Sequence, residues 1–346
     1  VVDHLAARAG VLAEVVRGDL VESVHLGHLV VLDAAGSVLV SVGDPDAVIF
    51  PRSSLKPVQA VASLRCGFSV GEPGTPVADA LLALACASHN GEPRHRGGVQ
   101  AILDAVGLGV DALRNTPDLP YDAAAALAWQ QAGHGPEAIA QNCSGKHAAM
   151  LAACVASGWD TATYLDPDHP LQRAVAVAVA ELTGDVAPPH LTKDGCGAPL
   201  LSTSLRGLAR AFSRLVTAPE GTPEARVARA MSAHPEMVGG VGRDVTAAMT
   251  AVSGLVCKDG AEGVYAGALP GGASFAFKVL DGAARPRPAI LAAVLRAAGA
   301  LDVAPGAAAA IDALGDVPVL GHGQRVGAVR VDLAQEAPAG AEGTTA

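Results

Sequence analysis

The amino-acid sequence predicts an α+β protein. Strand-like periodicity is confined to the two ends of the chain, and the long stretch between them repeats its apolar residues at helical spacing. The 346 residues are half hydrophobic, enough for a substantial core in one large domain or two closely joined lobes. Together these predict one antiparallel sheet, closed by N- and C-terminal strands and carrying a large helical insertion.

The elements follow in order. Val11 to Arg17, Glu22 to Asp33 and Ser37 to Gly43 read as a β-meander, separated by Gly-Asp and Ala-Ala-Gly turn signals. After Asp44-Pro45, the run from Phe50 to Pro57 leads into apolar periodicity through Leu64, which predicts a helix with Ser53 near its start. Helical patterns then cover Ala78 to Ala87, Tyr121 to Gly133, Gly145 to Gly158, Leu171 to Gly184, Pro199 to Val216 and Arg243 to Ser253. Strands return at Gly263 to Leu269 and Ser274 to Leu280, followed by an Ala-rich helix from Ala289 and a strand near Arg325 to Leu333. The expected organisation is a single domain over 1–335, with a sheet lobe from about 1–50 and 255–335 and a helical lobe from about 51–254. Residues 336–346 are expected to form a disordered tail.

Composition excludes several function classes. A formal net charge of -10 with 3% aromatic residues gives neither the cationic surface nor the stacking platforms of a nucleic-acid binder. Apolar stretches such as Ala80 to Ala87 fall short of the about 20 residues that span a bilayer, so no membrane partner is expected. The opening residues, with Asp3, His4 and Arg8, do not read as a secretory signal, and the six scattered cysteines do not read as a disulfide framework. A cytoplasmic location with reduced thiols is the expectation.

Lysine occurs only at positions 56, 146, 193, 258 and 278, arginine serving elsewhere. A desolvated lysine can act as a neutral base or a metal ligand, which arginine cannot. Ser53 and Lys56 form an S-x-x-K pair whose spacing puts hydroxyl and amine on one face of a first helical turn. Ser88-His89-Asn90 has an S-x-N form, and Lys258-Asp259-Gly260 a K-x-G form just before a predicted strand. In order and placement the three resemble the motifs of serine β-lactamases and penicillin-binding proteins. Taken singly, they also read as a polar helix end and a turn cation. Lys193-Asp194-Gly195 is a competing K-x-G that precedes a helical stretch.

A second cluster joins Asn142-Cys143-Ser144-Gly145-Lys146-His147 to Asp194-Gly195-Cys196-Gly197. Two thiolates and a neutral amine would make a soft site suited to zinc. From spacing alone, each sulfur reads more simply as a packed or unreactive cysteine. Cys66, Cys86 and Cys154 fall on apolar helical faces, and the eleven histidines have no metal-ligand spacing.

At these residues the chain resembles the rhizobial-type, asparaginase II-like L-asparaginases, from Val11 to about Leu333. The resemblance is carried by Val21-Glu22-Ser23-Val24-His25, Phe50 to Pro57, Ala87 to Glu92, Asn142 to His147, Asp194 to Pro199, His234 to Gly240 and Lys258 to Tyr265. It implies a serine β-lactamase-like two-lobe fold and hydrolysis of L-asparagine. It also implies two Ser-Lys tandems, Ser53-Lys56 and Ser88-Lys258, with Asp194 as the accompanying carboxylate. Cys143, Lys146 and Cys196 would form a zinc site beside them. The expected assembly is a homodimer and the expected partner a small-molecule substrate. A glutaminase, a β-lactamase or peptidase-like Ser-Lys hydrolase, and a non-catalytic zinc-binding ligand sensor are the alternatives. The implied chemistry is acyl transfer: Lys56 accepts the Ser53 proton, Ser53 attacks, Ser88 polarised by Lys258 relays a proton to ammonia, and backbone N–H groups at the helix start stabilise the oxyanion.

Overall fold

The computed structural model describes residues 2–186 and 189–333, so the expected tail over 336–346 lies outside the described residues. A short helix α1 (Val2–Ala7) leads into strands β1 (Gly10–Arg17), β2 (Leu20–Leu32), β3 (Val38–Val42) and β4 (Val48–Ile49). A 3₁₀ turn at Arg52–Leu55 continues into α2 (Lys56–Arg65). Helices α3 (Pro76–Ala85), α4 (Pro93–Asp104), α5 (Ala123–Gln131), α6 (Ser144–Ser157) and α7 (Pro170–Thr183) follow. Next come three small strands, β5 (Leu191–Lys193), β6 (Pro199–Leu201) and β7 (Thr203–Ser204). Helices α8 (Leu205–Val216), α9 (Pro223–Ala233), α10 (Pro235–Val238) and α11 (Asp244–Ala251) complete the insertion. The chain then returns through β8 (Val256–Asp259), β9 (Val264–Ala268) and β10 (Ser274–Val279). Helices α12 (Arg287–Ala297), α13 (Ala300–Val303) and α14 (Ala308–Gly315) precede the closing hairpin of β11 (Pro318–Gly321) and β12 (Gln324–Arg330).

The main sheet is antiparallel and runs β11-β12-β1-β2-β10-β9-β8, with β3 also paired to β2. N- and C-terminal strands therefore share one sheet, as the distribution of strand patterns predicts, and the fold class is α+β. Leu29 to Leu32 are buried without alternation, which requires cover on both faces of β2 at that point. The helix α8 packs across β2, β9 and β10. In the helical part, α2 is buried along its whole run from Lys56 to Leu64 and is enclosed by α6, α7 and α9. One continuous apolar core joins sheet and helices.

One expectation is corrected. The helix predicted over Pro199 to Val216 begins only at Leu205, because Pro199, Thr203 and their neighbours form β6 and β7. The Ser204 hydroxyl then accepts from the Gly207 N–H as the N-cap. Lys258-Asp259-Gly260 leads into β9, as expected, and Lys258 itself lies in β8, a strand so short and wholly buried that it lacks the alternation that marks strands in sequence.

Candidate active site

The turn that carries Ser53 is entered through Arg52, whose φ of +53° is the left-handed conformation that a side chain disfavours. The Arg52 Nε donates to Asp194 Oδ1 at 2.7 Å, and the same oxygen accepts from the Gly195 N–H. Asp194 thus anchors the residue immediately before Ser53. On the other side, Ser54 Oγ donates to the Lys258 carbonyl at 3.0 Å, fastening the turn to β8. Gly260 makes this approach possible, since a Cβ there would lie 2.6 Å from the Pro51 carbonyl oxygen and 2.9 Å from Ser54 Oγ.

Ser53 itself remains partly exposed, whereas Lys56, opening α2, is 1% exposed. The Lys56 amine donates to the Ala87 carbonyl at 2.5 Å and to Ser88 Oγ at 3.0 Å. Ser88 follows the end of α3 and is held by its own N–H on the Val238 carbonyl. Lys56 therefore spans the two serine segments. The implied pairing of Ser88 with Lys258 is not the hydrogen bond found: Lys258 Nζ donates to Asp259 Oδ1 at 2.5 Å and to the Asp259 carbonyl at 2.7 Å. A fully buried amine takes the nearest carboxylate, here the next residue in the chain.

Burial pushes the Lys258 amine down to about 8; Asp259 works against the shift and the nearby Lys56 charge adds to it. Asp259 is held well below the usual carboxylate range by Lys258 first, then by Arg243 and Arg287, which outweigh the cost of its burial. Arg243 Nη2 donates to Asp259 Oδ2 at 2.6 Å, and Arg287 Nη2 to Asp244 Oδ2 at 3.2 Å. A buried, alternating charge cluster thus stands directly behind the serine and lysine side chains.

Cys143, Lys146 and Cys196 do come together. Lys146 Nζ donates to Cys196 Sγ at 3.1 Å, and the two sulfurs share a small buried cluster with Ala198. The Cys143 thiol, the Lys146 ammonium and the neighbouring His147 hold Cys196 far toward the thiolate, in that order, against its burial. Burial lowers His147 to about 4, and its Nδ1 lies 2.7 Å from the Tyr164 hydroxyl. Among the described residues, no three His, Cys, Asp or Glu side chains are grouped to hold a metal, so such a site needs the lysine as its third donor. Lys193, the competing K-x-G lysine, lies on the exposed strand β5.

Arg243, Asp259, Arg287 and Arg52 were not singled out by sequence reading. Arginine is frequent in this chain, and nothing in the sequence marks which guanidinium is buried. Asp259 alone carried a signal, as the middle residue of the K-x-G segment.

A family model described as L-asparaginase II matches residues 13–331. No curated protein matches the chain. Among solved structures, a β-lactamase from Mycobacterium bovis is 15% identical, the match covering 79% of this chain and 94% of that one, with a TM-score of 0.44. EstCE1, a hydrolase with promiscuous acyltransferase activity, is 12% identical over 79% of this chain and 93% of its own, with a TM-score of 0.41. Mglu in its tris and glutamate form is 14% identical over 80% and 58%, with a TM-score of 0.35. Matched from strand β1 to the end of β12, the chain belongs to the L-asparaginase II family.

Proposed function

We propose that this protein is an L-asparaginase that hydrolyses L-asparagine to L-aspartate and ammonia through a serine ester. Family membership supports the reaction class. The observation that carries the mechanism is Lys56, buried and bonded to Ser88 Oγ, three residues along the chain from a partly exposed Ser53.

Ser53 Oγ attacks the side-chain amide carbon as its proton passes to Lys56. Collapse of the tetrahedral intermediate expels ammonia, which receives that proton from Lys56 through Ser88, and leaves an aspartyl ester on Ser53. Water then attacks the ester carbonyl, gives up a proton along the same route, and Ser53 leaves with it as the restored hydroxyl. Lys258 supplies positive potential behind Ser88, and Asp194 fixes Arg52 and so the turn that presents Ser53.

Zinc belongs to the same reading. Two sulfurs and an amine at one buried point are a soft donor set that fits the ion, and Cys143, Lys146 and Cys196 would hold it. When bound, it would organise the pocket wall beside the serines. A homodimer acting in the cytoplasm completes the proposal; among the described residues, no helix is long and apolar enough to cross a membrane.

The test is ammonia release from L-Asn and L-Gln by purified protein, alongside hydrolysis of nitrocefin. L-Asn should be preferred to L-Gln by about 10- to 200-fold, the discrimination one methylene allows. Equal turnover of both amides, or β-lactam hydrolysis without ammonia release, sinks the assignment.

A further inference from the structure

The charge cluster behind the serines has a geometry that the proposed steps do not use. Arg243, between α10 and α11, reaches three parts of the site with one guanidinium. Its Nη1 donates to the Ser88 carbonyl at 3.1 Å and to Asn90 Oδ1 at 3.4 Å, while Nη2 donates to Asp259 Oδ2 at 2.6 Å. The Tyr121 ring caps it, 4.6 Å from centroid to guanidinium carbon. Asp259 shares its other oxygen with Lys258.

We propose that Arg243 is a positioning residue, which ties the Ser88 segment to the Lys258–Asp259 pair and divides the Asp259 carboxylate between itself and Lys258. The inference rests on the asparaginase reading, in which Ser88 relays a proton. A lysine could not replace this arrangement fully, since only a planar fork reaches a carbonyl and a carboxylate together. Without Arg243, Asp259 would serve Lys258 more completely and hold it charged. Without the Asp259 charge, Lys258 would face Lys56 and Arg243 with no counter-ion. Arg287 from α12 is a weaker third cation on Asp259, its Nη1 3.8 Å from Oδ2, and the other groups gathered around this pair are Asp244 from α11, Cys86 beyond α3, Tyr265 from β9 and Cys257 from β8. Removing either partner leaves all of these in place.

The two losses therefore act on Lys258 in opposite directions, and a merely structural role would not carry those two directions into kcat. The chain has five lysines, so each can be followed by NMR after ¹³Cε labelling, with Lys258→Arg assigning its resonance. In Arg243→Gln the Lys258 titration should move up by about one unit or more, and in Asp259→Asn it should move down. Arg243→Lys, which keeps the charge, should lie between wild type and Arg243→Gln and guards against a variant that does not fold. The pH limb of kcat for L-Asn should follow the same two directions, with kcat falling at least about tenfold in Arg243→Gln and KM changing far less. Shifts of the same sign, or none, overturn the inference. Opposite shifts that the kcat limb ignores also overturn it, because Lys258 then has no part in the rate. Failure of the asparaginase reading looks different: wild type releases no ammonia from L-Asn, while the resonances still move apart.

Discussion

Replacing Lys56 by Met separates catalysis from stability more sharply than any other change in this site. The side chain follows the same buried path, one atom shorter, and loses both hydrogen bonds, to the Ala87 carbonyl and to Ser88 Oγ. Ala87 is fully buried, so its unpaired carbonyl costs about 1–3 kcal/mol, and the lost Ser88 bond about 0.5–1.5 kcal/mol. Against this, a polar amine that is 1% exposed no longer needs to be taken out of water, a saving of about 1–3 kcal/mol. The net change in stability should stay within about 2 kcal/mol, a melting shift of a few degrees for a chain of this size. Activity should fall much further. One base supplies about 10²–10⁴ in rate, and here the same amine serves both proton transfers, so a loss near 10⁴, about 5.5 kcal/mol, is expected. Ammonia release from L-Asn between pH 6 and 10, beside calorimetry of the same preparation, measures both quantities. Lys56→Arg should be equally inactive across that range, since guanidinium keeps the charge but cannot surrender the proton. A folded Lys56→Met retaining more than a tenth of wild-type kcat/KM, or a Lys56→Arg active at a shifted optimum, refutes the role assigned to this lysine.

Two more expectations concern the serines and the sulfur site. Ser53→Ala should abolish ester formation with a stability change under about 1 kcal/mol, because the hydroxyl is partly exposed, whereas Ser88→Ala should slow ammonia departure; trapping of the acyl-enzyme by mass spectrometry distinguishes them, and an acylated Ser53→Ala protein reverses the assignment. Cys143→Ser, Cys196→Ser and Lys146→Arg should each lower the zinc content of purified protein and raise KM more than they reduce kcat; metal-free wild type with full activity after chelation leaves the trio a packing cluster.

Much of the sheet was legible: β1 and the first half of β2 are partly exposed, while β9 and β10, buried almost throughout, are set off by the Pro270-Gly271-Gly272 turn between them. The sequence-based bounds of β1, β2, β3, β9 and β10 fall within two residues of those observed. Elsewhere the strands are both buried and very short: β8 spans four residues without alternation, and the three-residue β6 reads as the start of a helix until Ser204 caps one. The helix α4 was hidden by Gly97 and Gly98 at its centre, where a Cβ on Gly98 would meet Leu84 Cδ2 at 2.6 Å. Spacing brought Ser53 near Lys56, and scarcity marked Lys56, Lys146 and Lys258. It did not reveal that Lys56 bonds Ser88 or that Lys258 turns to its own neighbour, since both depend on where separate segments cross. Arg243 was out of reach for the same reason: its three partners come from positions 88, 90 and 259.

The closure of the sheet by its terminal strands sets an order for biosynthesis. The β1–β2–β3 meander can pair as it emerges, but Glu14 pairs with Arg330 and Val30 with Ala276, so the remaining partners of β1 and β2 arrive only when nearly the whole chain has been made. Contacts so distant in sequence slow folding and leave the free edges of this apolar meander uncovered meanwhile. A nascent chain ending near residue 255 would already contain Ser53, Lys56 and Ser88, yet lack β8, the strand that fastens the Ser53 turn through Ser54. Hydrolytic competence should therefore emerge late and all at once, with the newborn N-terminal strands depending on chaperone protection until the last hairpin arrives.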